Sequence, residues 1–339
     1  MVKTVRIAII GMGSVGRGVL KVLADGGSIY PDKGISFRVV AVADSKGAVV
    51  NPDGLDPAAI LKGKRDGTLK RIGNLSSMDV VREVDYDVLV EVTPTDARTG
   101  EPGLDYITEA LSQGRHVVTS NKGPIALKYK TLTDLARSNR ASLLFEATVG
   151  GAMPVFNLIR SPLAGNEIRG VKGIFNGTCN YILTRMIDEE LPYEMVLSEA
   201  KELGYAEADP TYDVEGIDTA LKIVILANSL FGMDVTLRDV SVEGISSITL
   251  EALKLASDNG YVVKLIGEVR PNGTEKILRV SPRLVPKTHP LAVQGTLNAA
   301  LIETQLAGGI VVVGKGAGSV ETASAILSDL LYIAMASKQ

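Results

Sequence analysis

The residues best suited to chemistry in this chain lie close together, on one predicted helix. Asp218 and Lys222 are four positions apart, so a helix places the carboxylate and the ammonium on one face. The rest of that helix, from about 218 to about 231, is apolar nearly all round, as in a buried helix. A lysine there must be paired, desolvated or in a cleft, and desolvation lowers the pKa of a lysine into the range that suits proton transfer near neutral pH.

Two interpretations of this pair follow from the residues alone. Asp218 is a good N-cap residue, and an Asp–Lys pair at a solvated helix end contributes only about 0.2–0.5 kcal/mol and needs no function. The apolar helix and the carboxylates that precede it in the segment 200–222 (AKELGYAEADPTYDVEGIDTALK) favour a site that moves protons.

The segment 200–222 resembles the signature of the homoserine dehydrogenases. The matching residues are Ala200, Gly204, Tyr205, Ala206, Asp209, Pro210, Asp213, Val214, Gly216, Asp218 and Lys222. The resemblance implies an enzyme of threonine, methionine and isoleucine biosynthesis that interconverts L-aspartate 4-semialdehyde and L-homoserine with NAD or NADP. It implies that Lys222 is the acid–base group, that Asp218 orients the substrate or the lysine, and that Gly204 and Glu207 bind substrate, with Glu207 on its ammonium.

Length and composition limit the alternatives. A chain of 339 residues suggests two domains, and 45% hydrophobic residues are enough for a sizeable core. The net charge of −3 gives no reason to expect nucleic acid or an anionic membrane surface as partners. No signal peptide or uninterrupted apolar membrane span is visible, and the single Cys179 excludes an internal disulfide, so we expect a cytoplasmic protein.

A glycine-rich turn near the N-terminus predicts a dinucleotide site. Residues 5–10 (VRIAII) are typical of a buried parallel strand, and a helix is predicted from the turn to about residue 25. The intervening turn has the G-x-G-x-x-G pattern, which permits a tight bend, close approach of the backbone to a pyrophosphate and close packing of the helix on the strand. The predicted cofactor contacts here are Gly11, Gly13, Ser14, Val15 and Gly16.

The choice between NAD and NADP stays open in the sequence. Asp44 ends the predicted strand 37–44, where such folds place an acid on the ribose hydroxyls of NAD, although it could also cap the following loop. A 2′-phosphate of NADP could instead be held by basic residues in or near the segment 45–78, which we predict to be a helix plus an exposed loop. These are Lys46, Lys62, Lys64 and Arg65.

Two further strands, 87–92 and 116–120, continue a predicted Rossmann-type parallel sheet. Thr93 and Lys122 follow them, at the carboxyl edge where open α/β sheets bind ligands, although each could be a turn residue. The resemblance implies that both contact the nicotinamide end of the cofactor and that Lys122 also faces the substrate, on its aldehyde or its carboxylate. Helices 103–113 and 126–139 should cover the sheet, and 141–147 should be its last strand.

The second half of the chain predicts an α+β domain. Strands are expected at 168–176, 261–270, 275–286 and 298–304, and helices from about 180 to 190 and at 192–203. These strands form no βαβ series, which favours a mixed or antiparallel sheet that also makes a subunit interface, as expected of a homodimer. Cys179 opens a helix and could be an activated nucleophile, but a small buried residue is the favoured interpretation.

The last part of the chain contains a second glycine-rich turn, within 310–327. No βαβ unit follows it, so a second nucleotide domain is not expected. The resemblance implies that the final helix returns to the first domain and that Gly316 and Gly318 border the nicotinamide. The expected domains are 1–147 for the dinucleotide, 148–313 for substrate, catalysis and dimerisation, and 314–339 packing back on the first. No fused kinase or regulatory domain is expected.

The turn 146–154 (EATVGGAMP) connects a predicted strand to a predicted helix. The resemblance implies that it binds a monovalent cation such as Na⁺ through a carboxylate and backbone carbonyls, and oxygen-only ligation suits a hard cation. The implied ligands are Glu146, Val149, Gly151 and Met153.

Three rival functions remain at this level. One is another amino-acid dehydrogenase of the same two-domain plan, such as an aspartate dehydrogenase. The second is an aspartate-semialdehyde dehydrogenase that uses Cys179 covalently. The third is a nucleotide-sensing protein without catalytic activity, which would have no reason to keep both Asp218 and Lys222 on a buried helix.

Overall fold

The computed structural model describes residues 2–69, 75–273 and 275–336. Contacts divide the chain into two compact units, each built around its own sheet. The first unit comprises Met1–Ala152 and Gly318–Gln339, and the second comprises Met153–Ala317. These divisions fall a few residues after the predicted boundaries at 147 and 313.

The first unit contains a seven-stranded sheet with the order β2-β3-β1-β5-β6-β7, and β4 pairs with β3. Strands β3, β1, β5, β6 and β7 are parallel, and the short β2 and β4 are antiparallel to β3. The order reverses at β1, so the turn after β1 lies at a topological switch point. The strands are β1 Lys3–Ile10, β2 Ile29–Tyr30, β3 Ile35–Asp44, β4 Gly47–Val50, β5 Val88–Glu91, β6 His116–Thr119 and β7 Leu143–Leu144.

Among the described residues before 139, five α-helices accompany this sheet. They form where the predicted helices lie, except that α3 was not predicted and that α5 begins four residues early, so Lys122 is helical. The helices are α1 Ser14–Val22, α2 Pro57–Arg65, α3 Ser77–Glu83, α4 Gly103–Ser112 and α5 Lys122–Ser138.

The C-terminal helix belongs to the first unit, as predicted for the return of the chain. This helix spans Ser319–Ala336, and Ala323, Ile326 and Leu330 are buried with α1 in the core of the unit. The two helices approach closely, because a Cβ on Gly18 would lie 2.1 Å from the carbonyl oxygen of Ser319. By length and composition alone the helix could also cross a membrane, a test that core helices of soluble proteins pass as well.

The second unit contains a six-stranded sheet with the order β13-β12-β8-β10-β11-β9. All of its pairings are antiparallel except β11 with β9, so the predicted mixed or antiparallel sheet is confirmed. The strand of the second glycine-rich turn, β13, pairs antiparallel with β12, which is not the geometry of a dinucleotide fold. The strands are β8 Ile168–Ile174, β9 Ser241–Val242, β10 Tyr261–Asn272, β11 Glu275–Pro286, β12 Leu297–Thr304 and β13 Gly309–Lys315.

The helices of the second unit include the predicted buried one, α10. Eleven of its fifteen residues are buried. The helix face with Thr219 and Ile223 packs on β10, where Gly267 has no side chain and so leaves room for them. In chain order the helices are α6 Val155–Arg160, α7 Gly177–Asp188, α8 Tyr193–Glu202, α9 Thr211–Val214, α10 Ile217–Phe231, α11 Leu250–Asp258 and, in the first unit, α12 Ser319–Ala336.

The structure corrects the predicted start of α10. Asp218 is not its N-cap, because the helix begins at Ile217 and Gly216 occupies the cap position with a left-handed φ of 79°. Glycine adopts that conformation without the strain a Cβ would bring. Asp218 therefore lies inside the first turn, where its side chain faces a residue four positions later instead of folding back on the helix N–H groups.

Candidate active site

The glycine-rich turn after β1 has the shape that a pyrophosphate requires. Gly11 has a φ of 109°, and a Cβ on it would lie 2.5 Å from the carbonyl oxygen of Val92. A Cβ on Gly16 would lie 1.9 Å from the Gly11 carbonyl oxygen, so α1 can pack here only with glycine. Gly13 is different, because it is exposed and nothing lies within 4 Å of its Cβ position. Gly13 is the open side of a cradle that leads to the N-terminus of α1, at Ser14 and Val15.

The carboxylate of Asp44 forms an ion pair with one of the basic residues of α2. Lys64 Nζ lies 2.6 Å from Asp44 Oδ2, and both side chains are largely buried, 11% exposed for Asp44 and 25% for Lys64. The backbone N–H of Lys46 donates to Asp44 Oδ1 at 2.9 Å. Lys62 is exposed, and Arg65 pairs with Asp66 on the surface. Of the four basic candidates, Lys64 brings its ammonium to Asp44, whereas Lys46 contributes a backbone N–H there.

A buried polar network joins the carboxyl ends of β5 and β6. Glu91 is fully buried and accepts hydrogen bonds from the backbone and hydroxyl of Thr93 and from Thr119 Oγ1 at 2.8 Å. Asn121 Nδ2 donates to Thr93 Oγ1 at 3.3 Å. Burial raises the pKa of the Glu91 carboxyl, and these hydrogen bonds counter part of that effect. Thr93 is thus held by residues at the ends of two strands, whereas a residue that only forms a turn would not need these contacts.

Lys122 is the first residue of α5 and is partly buried. Asn121 is the N-cap and accepts from the Gly123 N–H at 3.2 Å. A cation in the first turn of a helix is opposed by the helix dipole, so this position does not favour lysine for stability.

The turn after β7 contains the residues implied for a cation. Glu146 is 1% exposed within a short 3₁₀ turn, and its backbone N–H donates to the buried Asp329 of α12 at 2.9 Å. Val149 is buried, and Gly151 has a left-handed φ of 58°. At the start of the second unit, the carbonyl of Met153 accepts from the Val155 N–H at 2.9 Å and keeps a second lone pair.

Lys222 lies in a buried polar cluster of the second unit. Its Nζ donates to Asp218 Oδ2 at 2.7 Å and to the carbonyl oxygen of Phe175, the residue after β8, at 2.5 Å. The side chains of Lys222 and Asp218 are 9% and 11% exposed. An ammonium has three N–H donors, and the described residues accept from two of them. One N–H of Lys222 therefore remains for a ligand oxygen.

Asn176, the N-cap of α7, connects this pair to a second carboxylate. Its Nδ2 donates to Asp218 Oδ2 at 3.1 Å and to Asp213 Oδ1 at 2.7 Å, while its Oδ1 caps the helix through the Cys179 N–H. Cys179 is fully buried and its thiol donates to the Asp213 carbonyl at 3.2 Å. Burial, with nearby carboxylates, raises the pKa of the Cys179 thiol well above its usual value. Cys179 is a buried structural residue and is not an activated nucleophile.

The loop with Gly204 and Glu207 is exposed and is tied to the start of α7. Thr178 Oγ1 donates to the Tyr205 carbonyl at 2.7 Å, and the Tyr205 ring contacts Tyr181 with centroids 4.8 Å apart. Gly204 has a φ of 73°, which explains glycine there. Glu207 is exposed, and it makes no hydrogen bond or ion pair with the rest of the described chain.

The two C-terminal glycines have local reasons to be glycine. In the second unit, a Cβ on Gly316 would overlap the side chain of Asn298. In the first unit, Gly318 has a φ of 127° and faces Glu321. Neither amide atom of the buried Asn298 has a hydrogen-bond partner within the described ranges, although buried amides nearly always have one.

Sequence reasoning missed several members of these clusters. Glu91 carried a usable signal, since it is the one charged residue in the predicted strand 87–92 apart from Asp87 at its start. The Phe175 carbonyl carried none, because any residue type offers one. Asn176 ends the predicted strand 168–176 and Asn298 begins the predicted strand 298–304, but only the fold shows what they face.

Family models match nearly the whole chain in two parts. Residues 11–146 match the model described as homoserine dehydrogenase, NAD binding domain, and residues 154–331 match the model described as homoserine dehydrogenase.

Curated relatives and solved structures agree with these matches. A homoserine dehydrogenase of Methanocaldococcus jannaschii is 51% identical over 338 residues, which cover 98% of this chain and 99% of the relative. An NAD(+)-dependent homoserine dehydrogenase of Pseudomonas canavaninivorans is 39% identical, covering 97% and 96%. The crystal structure of a putative homoserine dehydrogenase from Archaeoglobus fulgidus superimposes with a TM-score of 0.89 at 51% identity, covering 97% and 99%.

A hyperthermophilic archaeal homoserine dehydrogenase in complex with NADPH is also similar, with a TM-score of 0.84 and 29% identity over 98% of both chains. The chain thus has the fold, the dinucleotide turn and the Asp218–Lys222 pair, and the relatives described above, which match nearly all of it, all carry the name homoserine dehydrogenase. The chain belongs to the homoserine dehydrogenase family, the NAD(P)-dependent oxidoreductases that interconvert L-aspartate 4-semialdehyde and L-homoserine.

Proposed function

We propose that the chain performs this reaction with Lys222 as the group that moves the proton. The observation that carries the proposal is the geometry of the ammonium. Lys222 Nζ is buried and fixed by Asp218 and the Phe175 carbonyl, and one N–H remains for a substrate oxygen. In reduction of the aldehyde, Lys222 donates a proton to the oxygen as it becomes a hydroxyl, and in oxidation of homoserine it accepts that proton.

Asp218 orients Lys222 and balances its charge. A buried ammonium without a partner is costly, so the carboxylate at 2.7 Å allows a charged lysine to stay out of water. Asn176 holds Asp218 from the other side, at 3.1 Å, which limits the positions that Asp218 can take. The lysine therefore meets the substrate in one orientation, which is what a proton transfer requires.

The first unit binds the cofactor, and its residues fit a dinucleotide. The open space at Gly13 and the N-terminus of α1 receive the pyrophosphate, and Ser14 and Val15 offer N–H groups of the first turn. When bound, the nicotinamide cofactor supplies the hydride for the aldehyde carbon and accepts it in the reverse direction. Thr93, Lys122, Gly316 and Gly318 are proposed to contact the nicotinamide end. Lys122 is also proposed to polarise the aldehyde or bind the substrate carboxylate.

Lys64 is expected to control the use of NADP. It neutralises Asp44, whose charge would otherwise repel a 2′-phosphate, and its ammonium can turn to that phosphate. Replacing Lys64 with methionine should lower kcat/KM for NADP by about tenfold or more and change that for NAD by less than about threefold. Initial rates with both cofactors measure this. Lys62→Met, on the exposed side of the same helix, is the control and should leave the ratio unchanged.

Glu207 is proposed to bind the substrate ammonium, and Gly204 shapes its loop. The exposed carboxylate has no partner within the described chain, so it is available to a ligand. Glu207→Gln should raise KM for L-homoserine about tenfold or more, because one charge-assisted contact to the substrate is lost. We expect kcat to change little. Glu202→Gln, on the exposed end of α8, is the matched control. An unchanged KM in the Glu207 variant would remove this assignment.

A monovalent cation, with Na⁺ as the first candidate, is proposed to bind at Glu146 and the carbonyls of Val149, Gly151 and Met153. Support comes from the buried carboxylate of Glu146 in a turn with a left-handed glycine. Replacing Na⁺ by tetramethylammonium at constant ionic strength should lower activity severalfold. Glu146→Gln should abolish that response, and a wild-type enzyme indifferent to Na⁺ and K⁺ would contradict the proposal.

The reaction itself is tested by absorbance of the reduced nicotinamide with L-homoserine and either NAD or NADP. Reduction of the cofactor in either reaction mixture is expected. No change in absorbance with L-homoserine, together with oxidation of NADH in the presence of oxaloacetate and ammonia, would show an aspartate dehydrogenase instead. An aspartate-semialdehyde dehydrogenase would require phosphate and would be inactivated by Cys179→Ser. Because the Cys179 thiol is buried and its pKa is raised, we expect the Cys179→Ser variant of this protein to stay active.

We also propose that the chain works as a cytoplasmic homodimer whose only partner is its small amino-acid substrate, without nucleic acid or membrane. The sheet of the second unit supports self-association, since Leu284 and Val313 on β11 and β13 are 62% and 46% exposed. Light scattering of the purified protein should give the mass of two chains.

A further inference from the structure

A second cavity in the second unit lies outside the cluster around Lys222. Its volume is about 280 Å³, and it is lined by the C-terminal half of α7, by α11, by the start of β10 and by the segment 287–294. That volume is just below the range of drug-sized ligand pockets, so it suits a small metabolite. Asn176 caps the opposite end of α7 and Asp218 lies on α10, and neither lines this cavity.

The cavity contains a buried lysine without an anionic partner. Lys264 is 3% exposed and lines the cavity from β10. Its Nζ donates to Asn180 Oδ1 at 2.7 Å and more weakly to Thr184 Oγ1 at 3.4 Å, and both acceptors are neutral. Throughout the described ranges, no carboxylate lies within the 4.0 Å of Nζ that an ion pair requires. Buried charges in proteins are usually paired, so this one is unusual.

The surroundings of Lys264 reinforce this conclusion. Burial lowers the pKa of Lys264 to about 8, and the exposed Asp188 on α7 raises it only in part. Lys287 and Tyr261 also line the cavity, whereas Arg283, opposite Lys264 on β11, pairs with Glu268 at 3.7 Å and does not line it. The charged residues that line the cavity are Lys264, Lys287 and Asp188, so positive charge exceeds negative charge at a site where Lys264 is still largely protonated at neutral pH.

We propose that this cavity binds a small organic carboxylate whose carboxylate group pairs with Lys264 Nζ. Such a ligand supplies the negative charge that the described residues do not provide to Lys264 Nζ. Because the ammonium is shielded from water, the ion pair between it and the ligand carboxylate is stronger than it would be on the surface. The apolar lining from Leu183, Leu253 and Ala292 contacts the carbon chain. The exposed carboxylate of Asp188 can take an ammonium, so both plain carboxylates and α-amino acids present the required chemistry.

The test uses ligand-observed NMR titration of the full-length protein with four-carbon probes. Butyrate should bind saturably with a dissociation constant in the millimolar range, and the neutral isostere butyramide should not. Tighter binding of L-2-aminobutyrate than of butyrate would assign the cavity to amino acids, and equal or weaker binding would assign it to plain carboxylates.

Two variants locate the binding. Lys264→Met keeps the length of the side chain without its charge and should weaken butyrate binding at least tenfold. Because both partners of Lys264 Nζ are neutral, this replacement leaves no buried opposite charge behind, and a thermal melt checks that the variant folds. Lys254→Met removes a surface lysine of α11 that pairs with Glu190, and it should bind butyrate as the wild type does.

Dependence on pH gives an independent readout. Because the ligand pairs with a protonated Lys264, affinity should fall roughly tenfold for each pH unit above about 8. A surface lysine, with its ordinary pKa of about 10.4, would leave the affinity constant up to pH 9. Unsaturable binding of butyrate, equal binding by Lys264→Met, or an affinity that is flat between pH 7 and 9 would each overturn the proposal.

Discussion

Replacing Lys222 with methionine lowers kcat by about 10²- to 10⁴-fold, the usual contribution of a general acid–base group. The variant cannot supply the proton at the substrate oxygen, while the cofactor turn is untouched. Substrate binding depends mainly on other groups, so KM for L-homoserine should change little. Steady-state rates with saturating cofactor measure both constants.

The variant needs controls for folding, because methionine leaves Asp218 buried without its cation. Lys222→Arg keeps a charge next to Asp218 but cannot release a proton near neutral pH, so it should fold normally and still lose most activity. Lys254→Met on the surface should behave as the wild type. A folded Lys222→Arg enzyme that turns over within about twofold of the wild type would show that the proton takes another path.

Replacing Gly13 with valine should abolish cofactor binding and leave the fold intact. Nothing lies within 4 Å of the Cβ position, so the unliganded protein has room for the side chain. That room is where a pyrophosphate approaches the backbone, and a branched side chain excludes it. Titration of NADH fluorescence should show a dissociation constant at least about 100-fold higher, the loss of several phosphate hydrogen bonds.

The matched control is Gly165→Val, a second exposed glycine with open space at its Cβ, in the second unit. Both variants should melt close to the wild-type temperature, and only Gly13→Val should lose the cofactor. Normal NADH binding by Gly13→Val would mean that the dinucleotide approaches the first unit elsewhere. Unfolding of Gly13→Val would contradict the open cradle described above.

Local patterns were sufficient for much of the fold. The turn at Gly11–Gly16 was predicted from the spacing of its glycines, and the buried helix around Lys222 from its apolar residues. Both patterns depend only on residues that are close in sequence. The short β4 and the helices α3 and α11 were missed, because each is brief and depends on the surface that it covers. The N-cap position of Asp218 was wrong because a left-handed Gly216 starts the helix one residue earlier.

The candidate site was predictable in its residue types but not in its contacts. Lys222 was expected to pair with Asp218, and this is confirmed at 2.7 Å. Its second partner, the Phe175 carbonyl, lies 47 positions away, and no side-chain pattern marks a carbonyl. The Lys64–Asp44 pair likewise depends on how α2 folds beside β3, since four basic residues were equally plausible in the sequence.

Rescue of a Lys222→Ala enzyme by small primary amines tests the central claim most directly. The truncated side chain leaves space beside Asp218 and the Phe175 carbonyl, where an alkylammonium ion can take over the lost hydrogen bonds. The measured quantity is the rate of cofactor reduction with L-homoserine as the concentration of ethylamine is raised. Our account predicts a rate that is low without amine and rises in proportion to added ethylamine, with no rise in the wild type. An alanine variant that turns over at the wild-type rate without amine would contradict the assignment of Lys222 as the group that moves the proton.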